Sequence, residues 1–460
     1  MVQKHYDLVI VGAGSGLNLA AKTAEANNWK VAVIEKGPLG GTCLNRGCIP
    51  SKILIHAADV ANEIRRAREF GIDAEITGIR FADVVNRASE FVDADAAKLE
   101  RGVRAHPGID LYETEAYFVS DKTLDVGGPS STSGQETITG ERILIAAGTR
   151  PFVPPVQGIE SIEYLTSDEA LRLTKQPKSM IIIGGGYISA ELGHFFGALG
   201  TEVTIIEAGE RLIGREDSDI SAAFTRIFSE SHRVVLNAKV ISVAQGNGLK
   251  QVIVEGKDGK QQTLEAEALL LTTGRRSASD LLKLKENTKI ELDERGFVKV
   301  NEYLETNVPN VWALGDIVGK APFKHGANME ARHLLAALTG GKKTPVDYSL
   351  MPHAIFSYPQ VAGVGLTEEE AKAKGIKYEV RKKEYAKTGM GKALEEKDGF
   401  VKFIIDPEKE KILGCHIMGP HASTLIHEVI VAMKAGGDIS LIRDSIHVHP
   451  ALSEVVQRAL

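Results

Sequence analysis

The chain has 460 residues, of which 43% are hydrophobic, and a formal net charge of −6 at pH 7. This length predicts two to four domains with large apolar cores, and the negative charge argues against a nucleic-acid partner, which would need a basic surface. Three cysteines favour a reducing compartment over a disulfide scaffold. No stretch has the length of a membrane span, and a strand follows Met1 to His5 too soon for a signal peptide. These features together predict a cytoplasmic protein that does not bind membranes.

The first motif is an apolar strand, Asp7 to Val11, that runs into a glycine-rich turn. A second strand, Val31 to Ile34, follows the intervening helical stretch and ends in an acid. Glycines in such a turn let backbone N–H groups approach a pyrophosphate, and the acid accepts hydrogen bonds from a ribose. The predicted cofactor contacts in this segment are Gly12, Gly14, Gly16, Glu35 and Lys36.

Two cysteines, Cys43 and Cys48, follow this motif in the stretch Gly40 to Lys52. Four intervening residues suit one helical turn, which can bring both sulfurs within disulfide reach. A helix start also lowers the pKa of a thiol by favouring the thiolate. Lys52 lies four residues after Cys48 and falls on the same face if a helix begins there. The pattern predicts a redox-active cysteine pair.

The strand, glycine turn and acid occur a second time, at Met180 to Ile183 and Val203 to Ile206. In both copies the first glycine and the acid are 23 residues apart, which predicts two dinucleotide-binding βαβ units. Leu17 and Ser189 replace the third glycine of the usual pattern, a position that mainly sets helix-to-strand packing, so binding should survive. The predicted contacts in the second copy are Gly184, Gly186, Tyr187, Ile188 and Glu207.

Further strands and loops divide the remaining chain. Ile143 to Thr149 and Leu269 to Arg275 are apolar runs that end in small residues, and Pro151, Pro154 and Pro155 indicate a linker. Val311 to Asp316 is a third such run, and Gly127 to Gly134 is predicted to be a loop. Beyond Pro345 the predicted elements are a hairpin of Phe400 to Ile405 and Ile412 to Met418, a helix capped by Thr367 and Glu370, and helices around Leu425 to Met433 and Leu452 to Ala459.

Near the end of the chain, His449 is followed by Pro450 and, five residues after the histidine, by Glu454. An imidazole held by a carboxylate is a common arrangement for proton transfer. Pro450 and Glu454 are in register with His449, so we interpret His447 as a neighbour of the base. Cys415, the third cysteine, is interpreted as a packed strand residue.

Taken together, these motifs resemble those of the flavin-dependent pyridine nucleotide disulfide oxidoreductases, from Tyr6 to Leu460. The resemblance implies an α/β fold with two Rossmann-like dinucleotide-binding domains and a C-terminal α+β dimerisation domain. The implied division is residues 1–150 for the first part of the FAD-binding domain, 151–275 for the NAD-binding domain, 276–345 for the second, central part of the FAD-binding domain, and 346–460 for the dimerisation domain.

Particular residue roles follow from the resemblance. It makes Cys43 the thiol that faces substrate and Cys48 the thiol nearest the flavin, joined as a disulfide in the oxidised enzyme. Lys52 would lie near the flavin and pair with Glu191, and His449 with Glu454 would act on protons. The other implied cofactor contacts are Gly41, Thr42, Ala147, Gly148, Gly274, Arg275, Asp316 and Ala327. FAD and NAD are the implied cofactors, the implied assembly is a homodimer, and no metal site is expected.

The choice of family member depends largely on Glu207, because a carboxylate after the second strand repels a 2′-phosphate and favours NAD(H). This favours the dihydrolipoamide dehydrogenase branch, whose substrate is dihydrolipoamide on a lipoyl-bearing protein. The first alternative is an NADPH-dependent reductase of a small disulfide, of the mycothione or glutathione type. His325 to Asn328 resembles mycothione reductases, and Arg211 and Arg215 could reach a phosphate. A third reading is a flavin-binding assembly subunit of a multienzyme complex, which would not need an intact redox site.

Overall fold

The computed structural model describes residues 4–127 and 136–460. All of the predicted loop Gly127 to Gly134 except Gly127 lies outside these ranges. Within them, no helix is both long enough and apolar enough to cross a bilayer. The chain forms two compact units, one of residues 1–50, 86–152 and 275–348, the other of residues 51–85, 153–274 and 349–460. The four-domain division stays a prediction.

The strands, in chain order, are β1 (Lys4–Val11), β2 (Val31–Ile34), β3 (Ile109–Tyr112), β4 (Tyr117–Ser120), β5 (Thr123–Asp125), β6 (Thr137–Ile145), β7 (Thr149–Pro151), β8 (Ser179–Ile183), β9 (Glu202–Ile206), β10 (Arg233–Val235), β11 (Ala238–Gly246), β12 (Leu249–Gly256), β13 (Gln261–Ala266), β14 (Ala268–Leu271), β15 (Arg275–Ser277), β16 (Val311–Ala313), β17 (His353–Ile355), β18 (Val361–Gly365), β19 (Glu379–Glu384), β20 (Phe400–Asp406) and β21 (Lys411–Met418).

The α-helices are α1 (Leu17–Asn27), α2 (Gly41–Arg46), α3 (Cys48–Arg66), α4 (Phe81–Ala105), α5 (Ser167–Ala170), α6 (Tyr187–Ala198), α7 (Ser218–Ser231), α8 (Leu284–Asn287), α9 (Lys324–Leu338), α10 (Glu368–Ala373), α11 (Gly389–Ala393), α12 (Ala422–Lys434), α13 (Ser440–Arg443) and α14 (Glu454–Gln457). Short 3₁₀ turns occur at Ala67–Phe70, Ile159–Ser161, Gly315–Val318 and Tyr385–Lys387.

The first unit is built on a seven-stranded sheet in the order β3-β2-β1-β6-β5-β4, with β16 also paired to β6. Strands β1, β2, β3, β6 and β16 are joined by parallel pairings, and β4 and β5 add an antiparallel hairpin at one side. Along β1, Val9 and Val11 face one apolar core while Leu8 and Ile10 face another. Successive side chains of a strand point to opposite faces, so this sheet is covered on both sides, and its central strand β1 is apolar from Leu8 to Val11.

The second unit contains three sheets. A four-stranded parallel sheet has the order β10-β9-β8-β14, a three-stranded antiparallel sheet follows as β11-β12-β13, and a five-stranded antiparallel sheet has the order β17-β18-β21-β20-β19. The parallel sheet repeats the strand–helix–strand pattern of β1, α1 and β2, with α6 between β8 and β9. The predicted class, α/β with two Rossmann-like units and a C-terminal α+β domain, is confirmed.

Details of the C-terminal region agree with the prediction in most places. The hairpin is present as β20 and β21, and Thr367 and Glu370 form the capping box of α10. Cys415 is fully buried in β21, where burial raises the pKa of its thiol, as expected of a packed strand residue. The predicted helix from Leu452 to Ala459 was too long, because only α14 is α-helical and the residues on either side of it form turns.

Candidate redox and nucleotide sites

In the first unit, the turn after β1 is closed by the acid at the end of β2. Gly12 has a φ of +102°, and a Cβ there would lie 2.4 Å from the carbonyl oxygen of Ala146. The carboxylate of Glu35 accepts hydrogen bonds from the N–H groups of Ala13 at 2.9 Å and of Gly37 at 3.1 Å. A side chain at Gly12 would therefore displace the neighbouring strand end, and the acid fixes the turn.

The second unit repeats this geometry around Glu207. Gly184 has a φ of +104°, and its Cβ would meet the carbonyl oxygen of Thr272 at 2.8 Å. Glu207 accepts hydrogen bonds from Gly185 N at 2.5 Å and Gly209 N at 2.7 Å. The equal sequence spacing of the two motifs thus corresponds to equal local structure.

Several glycines leave room for a bound dinucleotide. A Cβ built on Gly148, Gly186 or Gly274 would have no heavy atom within 4 Å. Gly41, by contrast, approaches the Cα of Gly14 so closely that a Cβ would lie at 2.7 Å. Backbone that is both tightly packed and open on one side is what a pyrophosphate cradle requires. The residues therefore fit FAD in the first unit and a pyridine nucleotide in the second.

The remaining predicted cofactor residues of the first unit lie as follows. Asp316 is the second residue of the 3₁₀ turn after β16, and its carboxylate accepts a hydrogen bond from Thr149 Oγ1 at 3.1 Å. Arg275 donates to the same threonine, to Oγ1 at 2.8 Å and to the carbonyl at 2.9 Å. Lys36 pairs with Glu115 at 3.0 Å on the surface. Of the other positions, Thr42 lies in α2, Ala147 follows β6 and Ala327 is buried in α9.

The two cysteines lie on different helices, contrary to the expected single helical turn. Cys43 is in α2, which ends at Arg46, and Cys48 is the first residue of α3. The backbone folds back at Gly47, where a Cβ would lie 2.9 Å from the carbonyl oxygen of Thr42. Cys43 is half-buried and Cys48 is exposed in the single chain. At the start of a 19-residue helix, Cys48 is placed where the helix dipole favours a thiolate.

Lys52 and Glu191 form an ion pair in the second unit. The ammonium nitrogen of Lys52 lies 2.7 Å from both carboxylate oxygens of Glu191, which is on the second turn of α6. Glu191 also accepts a hydrogen bond from the N–H of Phe356 at 3.0 Å, and Lys52 Nζ lies 4.5 Å from the centre of the Phe356 ring. Sequence reasoning missed Phe356, because a lone aromatic residue in a loop carries no motif.

The imidazole of His449 is held by Glu454. Its Nδ1 lies 3.0 Å from Glu454 Oε1, and the other carboxylate oxygen accepts from Ala451 N at 3.2 Å. Arg458 also donates to Glu454, and the hydrogen bond with His449 is the main cause that lowers the pKa of this carboxyl. The carboxylate is buried, with 5% of its side chain exposed, while the His449 side chain is 70% exposed. An exposed base on a fixed carboxylate can accept a proton from a molecule outside its own chain.

His447 has a different environment from His449. Its ring nitrogens lie 3.0 Å from the Ser445 carbonyl oxygen and 3.0 Å from Glu428 Oε2, and its side chain is only 9% exposed. With both nitrogens engaged, His447 is poorly placed to act as a base.

Among the residues that the structure describes, no group of three or more His, Cys, Asp or Glu side chains could hold a metal ion.

Comparisons with known proteins place this arrangement in a family. A family model described as pyridine nucleotide-disulphide oxidoreductase matches residues 6–333, and the model of its dimerisation domain matches residues 351–460. Mycothione reductase of Mycobacterium tuberculosis is 38% identical over 470 residues, covering 99% of this chain and 98% of that protein. Dihydrolipoyl dehydrogenase of Geobacillus stearothermophilus is 37% identical over 454 residues, covering 98% and 95%.

A solved structure gives the same result. The Cu(II) complex of the HOCl-induced flavoprotein disulfide reductase RclA from Escherichia coli matches with a TM-score of 0.88 and 30% identity, covering 100% of this chain and 99% of that chain. Members of the family use FAD and a pyridine nucleotide, and the dimerisation domain indicates a homodimer. The chain therefore belongs to the pyridine nucleotide-disulphide oxidoreductase family and is an enzyme that acts on sulfur groups.

Proposed function

We propose that the protein is an NAD(H)-dependent dihydrolipoamide dehydrogenase of the cytoplasm that oxidises dihydrolipoamide carried by a lipoyl-bearing protein. Glu207 carries the proposal, because its carboxylate closes the second nucleotide turn at the position where a 2′-phosphate of NADP(H) would add negative charge. Nearby Arg211 is already engaged, with Glu210 at 3.0 Å and the Ser218 carbonyl oxygen at 3.2 Å. That engagement makes Arg211 a poor phosphate ligand.

In the proposed reaction, a thiolate of dihydrolipoamide attacks Cys43 Sγ of the Cys43–Cys48 disulfide. The bond between the two cysteines breaks, a mixed disulfide forms, and Cys48 leaves as a thiolate. The second thiol of the substrate then attacks the substrate sulfur of the mixed disulfide, which forms the ring disulfide of lipoamide and releases Cys43 as a thiolate. Bound FAD supplies the route by which the electron pair reaches NAD⁺. Overall, dihydrolipoamide and NAD⁺ give lipoamide, NADH and a proton.

His449 is the proposed base for the substrate thiol. Glu454 keeps the imidazole in one tautomer and stabilises its cation, so Glu454→Ala should be milder than His449→Ala. Lys52 is proposed to present its charge near the flavin, one helical turn after Cys48, while Glu191 fixes its side chain. Because His449 is exposed in a dimerisation domain, we propose that it serves the thiol pair of the other subunit.

A second candidate is reduction of a small disulfide of the mycothione type. The 38% identity to mycothione reductase over nearly the whole chain favours it as much as the 37% identity to dihydrolipoyl dehydrogenase favours the first. The same cysteines and base would take part, but the electrons would flow in the opposite direction, from the nucleotide to the disulfide substrate. A flavin-binding assembly subunit is less well supported, since such a role needs neither the ion pair at Lys52 nor the pair at His449.

Steady-state turnover distinguishes these functions. The purified holoenzyme is assayed with dihydrolipoamide and NAD⁺, and then with NADH or NADPH and each of lipoamide, mycothiol disulfide and glutathione disulfide. The proposal expects the highest kcat/KM with dihydrolipoamide and NAD⁺. Preference for mycothiol disulfide with NADPH would replace it by the second candidate. An FAD-loaded dimer without turnover in any combination would favour the assembly role.

A further inference from the structure

Tyr187, the first residue of α6, is tied to a buried carboxylate outside the redox site. Its hydroxyl donates a hydrogen bond to Glu216 Oε1, and the other carboxylate oxygen lies 2.8 Å from His353 Nε2. The rings of Tyr187 and His353 are nearly parallel, at 17°, with centroids 6.1 Å apart. Glu216 thus joins a residue of the second nucleotide turn to a histidine at the start of β17.

The carboxylate of Glu216 is buried, and its position is fixed by hydrogen bonds. The Glu216 side chain is 0% exposed, and the hydrogen bond and charge of His353 keep its pKa low in spite of burial. The backbone is fixed as well, because Glu216 N donates to the Ile213 carbonyl and Ile213 N donates to the Gly185 carbonyl. The segment that carries Glu216 is therefore hydrogen-bonded directly to the nucleotide turn.

The histidine also has a prepared place. His353 is paired in register with Gly363 of β18, and a Cβ on that glycine would lie 2.7 Å from His353 Cε1 and 2.9 Å from His416 Nδ1. Only glycine leaves space for both imidazole rings. Next to Glu216, the buried Asp217 accepts a hydrogen bond from the fully buried Lys402 at 2.8 Å. These contacts keep His353 and Glu216 in place without help from a ligand.

We infer that Glu216 and His353 are positioning residues that hold the Tyr187 side chain at the second nucleotide turn and thereby set the affinity for the pyridine nucleotide. The inference rests on the proposed function, since it takes this turn as the nucleotide site. Tyr187 directly follows Gly186, whose outer side is open. A side chain fixed before the ligand arrives does not have to be ordered on binding, so a freed ring should weaken binding roughly threefold to tenfold.

The test measures reduction of the bound FAD by rapid mixing with NADH or NADPH, whichever reduces the wild-type enzyme. This half-reaction needs no disulfide substrate and gives an apparent Kd and a limiting rate. Tyr187→Phe keeps the ring and loses the hydrogen bond, and His353→Phe keeps a flat ring and loses the donor to Glu216. Each should raise the apparent Kd for the nucleotide roughly threefold to tenfold, with KM for the dithiol or disulfide substrate unchanged. Because both act through one ring, the double variant should be less than additive.

Tyr117→Phe is the matched control, because it removes a phenol–carboxylate hydrogen bond, that of Tyr117 with Asp125 at 3.0 Å, in the other compact unit. If a ring variant loses FAD, the near-isosteric Glu216→Gln takes its place. An apparent Kd within about twofold of wild type for the FAD-loaded variants would overturn the inference alone. A wild-type flavin that neither nucleotide reduces would overturn the proposed function itself.

Discussion

Neutralising Glu207 should relax the choice between the two pyridine nucleotides. The carboxylate accepts hydrogen bonds from Gly185 and Gly209, so both oxygens are oriented by backbone before a nucleotide binds. The position follows β9, as Glu35 follows β2 in the other copy of the motif. Glu207→Gln preserves the size and one acceptor oxygen while it removes the charge.

The size of the effect follows from Coulomb's law. Two unit charges about 4 Å apart repel by about 1 kcal/mol in water and by about 4 kcal/mol at the screening typical of a protein surface. A 2′-phosphate carries between one and two negative charges, so the wild-type enzyme should disfavour NADP(H) by at least about 1.4 kcal/mol, roughly tenfold in kcat/KM. The variant also loses a turn hydrogen bond, at a cost of about 1 kcal/mol that both nucleotides share. The ratio between nucleotides therefore isolates the charge.

The assay compares kcat/KM for NADH and NADPH, or NAD⁺ and NADP⁺, in wild type, Glu207→Gln and Glu202→Gln. Glu202 is the control, because it is an exposed acid at the start of β9, at the other end of the strand from Glu207. We expect a preference of roughly tenfold or more for NAD(H) in wild type and in the control. In Glu207→Gln the preference should approach one. Equal or better wild-type turnover with NADPH would refute the reasoning.

Four further predictions follow from other sites. Cys43→Ser should abolish dithiol oxidation yet leave bound FAD reducible by NADH. Cys48→Ser should also remove the long-wavelength absorbance band of the two-electron-reduced enzyme. A Cys48→Ser enzyme that kept both this absorbance band and full activity would contradict the assignment of Cys48 as the thiol nearest the flavin. Mixing Cys43→Ser chains with His449→Ala chains should restore roughly a quarter of wild-type activity after subunit exchange, since half of the dimers in an equal mixture would carry one intact site; no recovery would place the base within its own chain. Lys402→Met should lower the free energy of unfolding by about 3–5 kcal/mol in urea titration, because it leaves a buried carboxylate unpaired. A hydrogen bond from Arg150 lowers the pKa of Asp280 to about 2, so this pair stabilises the fold above about pH 4, and the stabilisation is lost toward pH 2. The free energy of unfolding should therefore fall between pH 6 and pH 2, and in Asp280→Asn this fall should be smaller than in wild type. The difference should be at most about 1 kcal/mol, because the carboxylate is partly exposed and screened by solvent.

Sequence reasoning succeeded where the structure depends on local backbone geometry. Gly12 and Gly184 are conformationally required, at φ values of +102° and +104°, and each follows a short apolar strand. Each pattern of strand, glycine turn and acid is local in sequence, with 23 residues between glycine and acid, so the strands, the two acids and their spacing could be predicted. The ion pair of Lys52 with Glu191 could be expected only through family resemblance, because 139 residues separate its members.

Other features depend on packing that sequence patterns do not encode. The break between the two thiol helices arises because Gly47 folds back on Thr42, whereas the spacing of the cysteines alone suited a continuous turn. The contacts that hold Tyr187 depend on the pair of Glu216 and His353, which are 137 residues apart in the sequence. Neither the fold at Gly47 nor the contact between Glu216 and His353 has a sequence motif. In the sequence alone, His353 could equally be an ordinary packed residue of its strand. Only the fold brings these side chains together.

The contacts of α3 show how the helix that carries Lys52 is packed against α6. From Ser51 onward α3 belongs to the same compact unit as α6, and two polar pairs join these helices. One is Lys52 with Glu191, and the other, seven residues further along α3, is Asp59 with the buried His194, at 2.8 Å. Residues 52 and 59 are about two turns apart, so the two pairs lie on the same face of α3 and restrain its rotation against α6 more than one pair would. The charge that Lys52 is proposed to bring near the flavin is therefore held in register with the helix that begins at the second nucleotide turn.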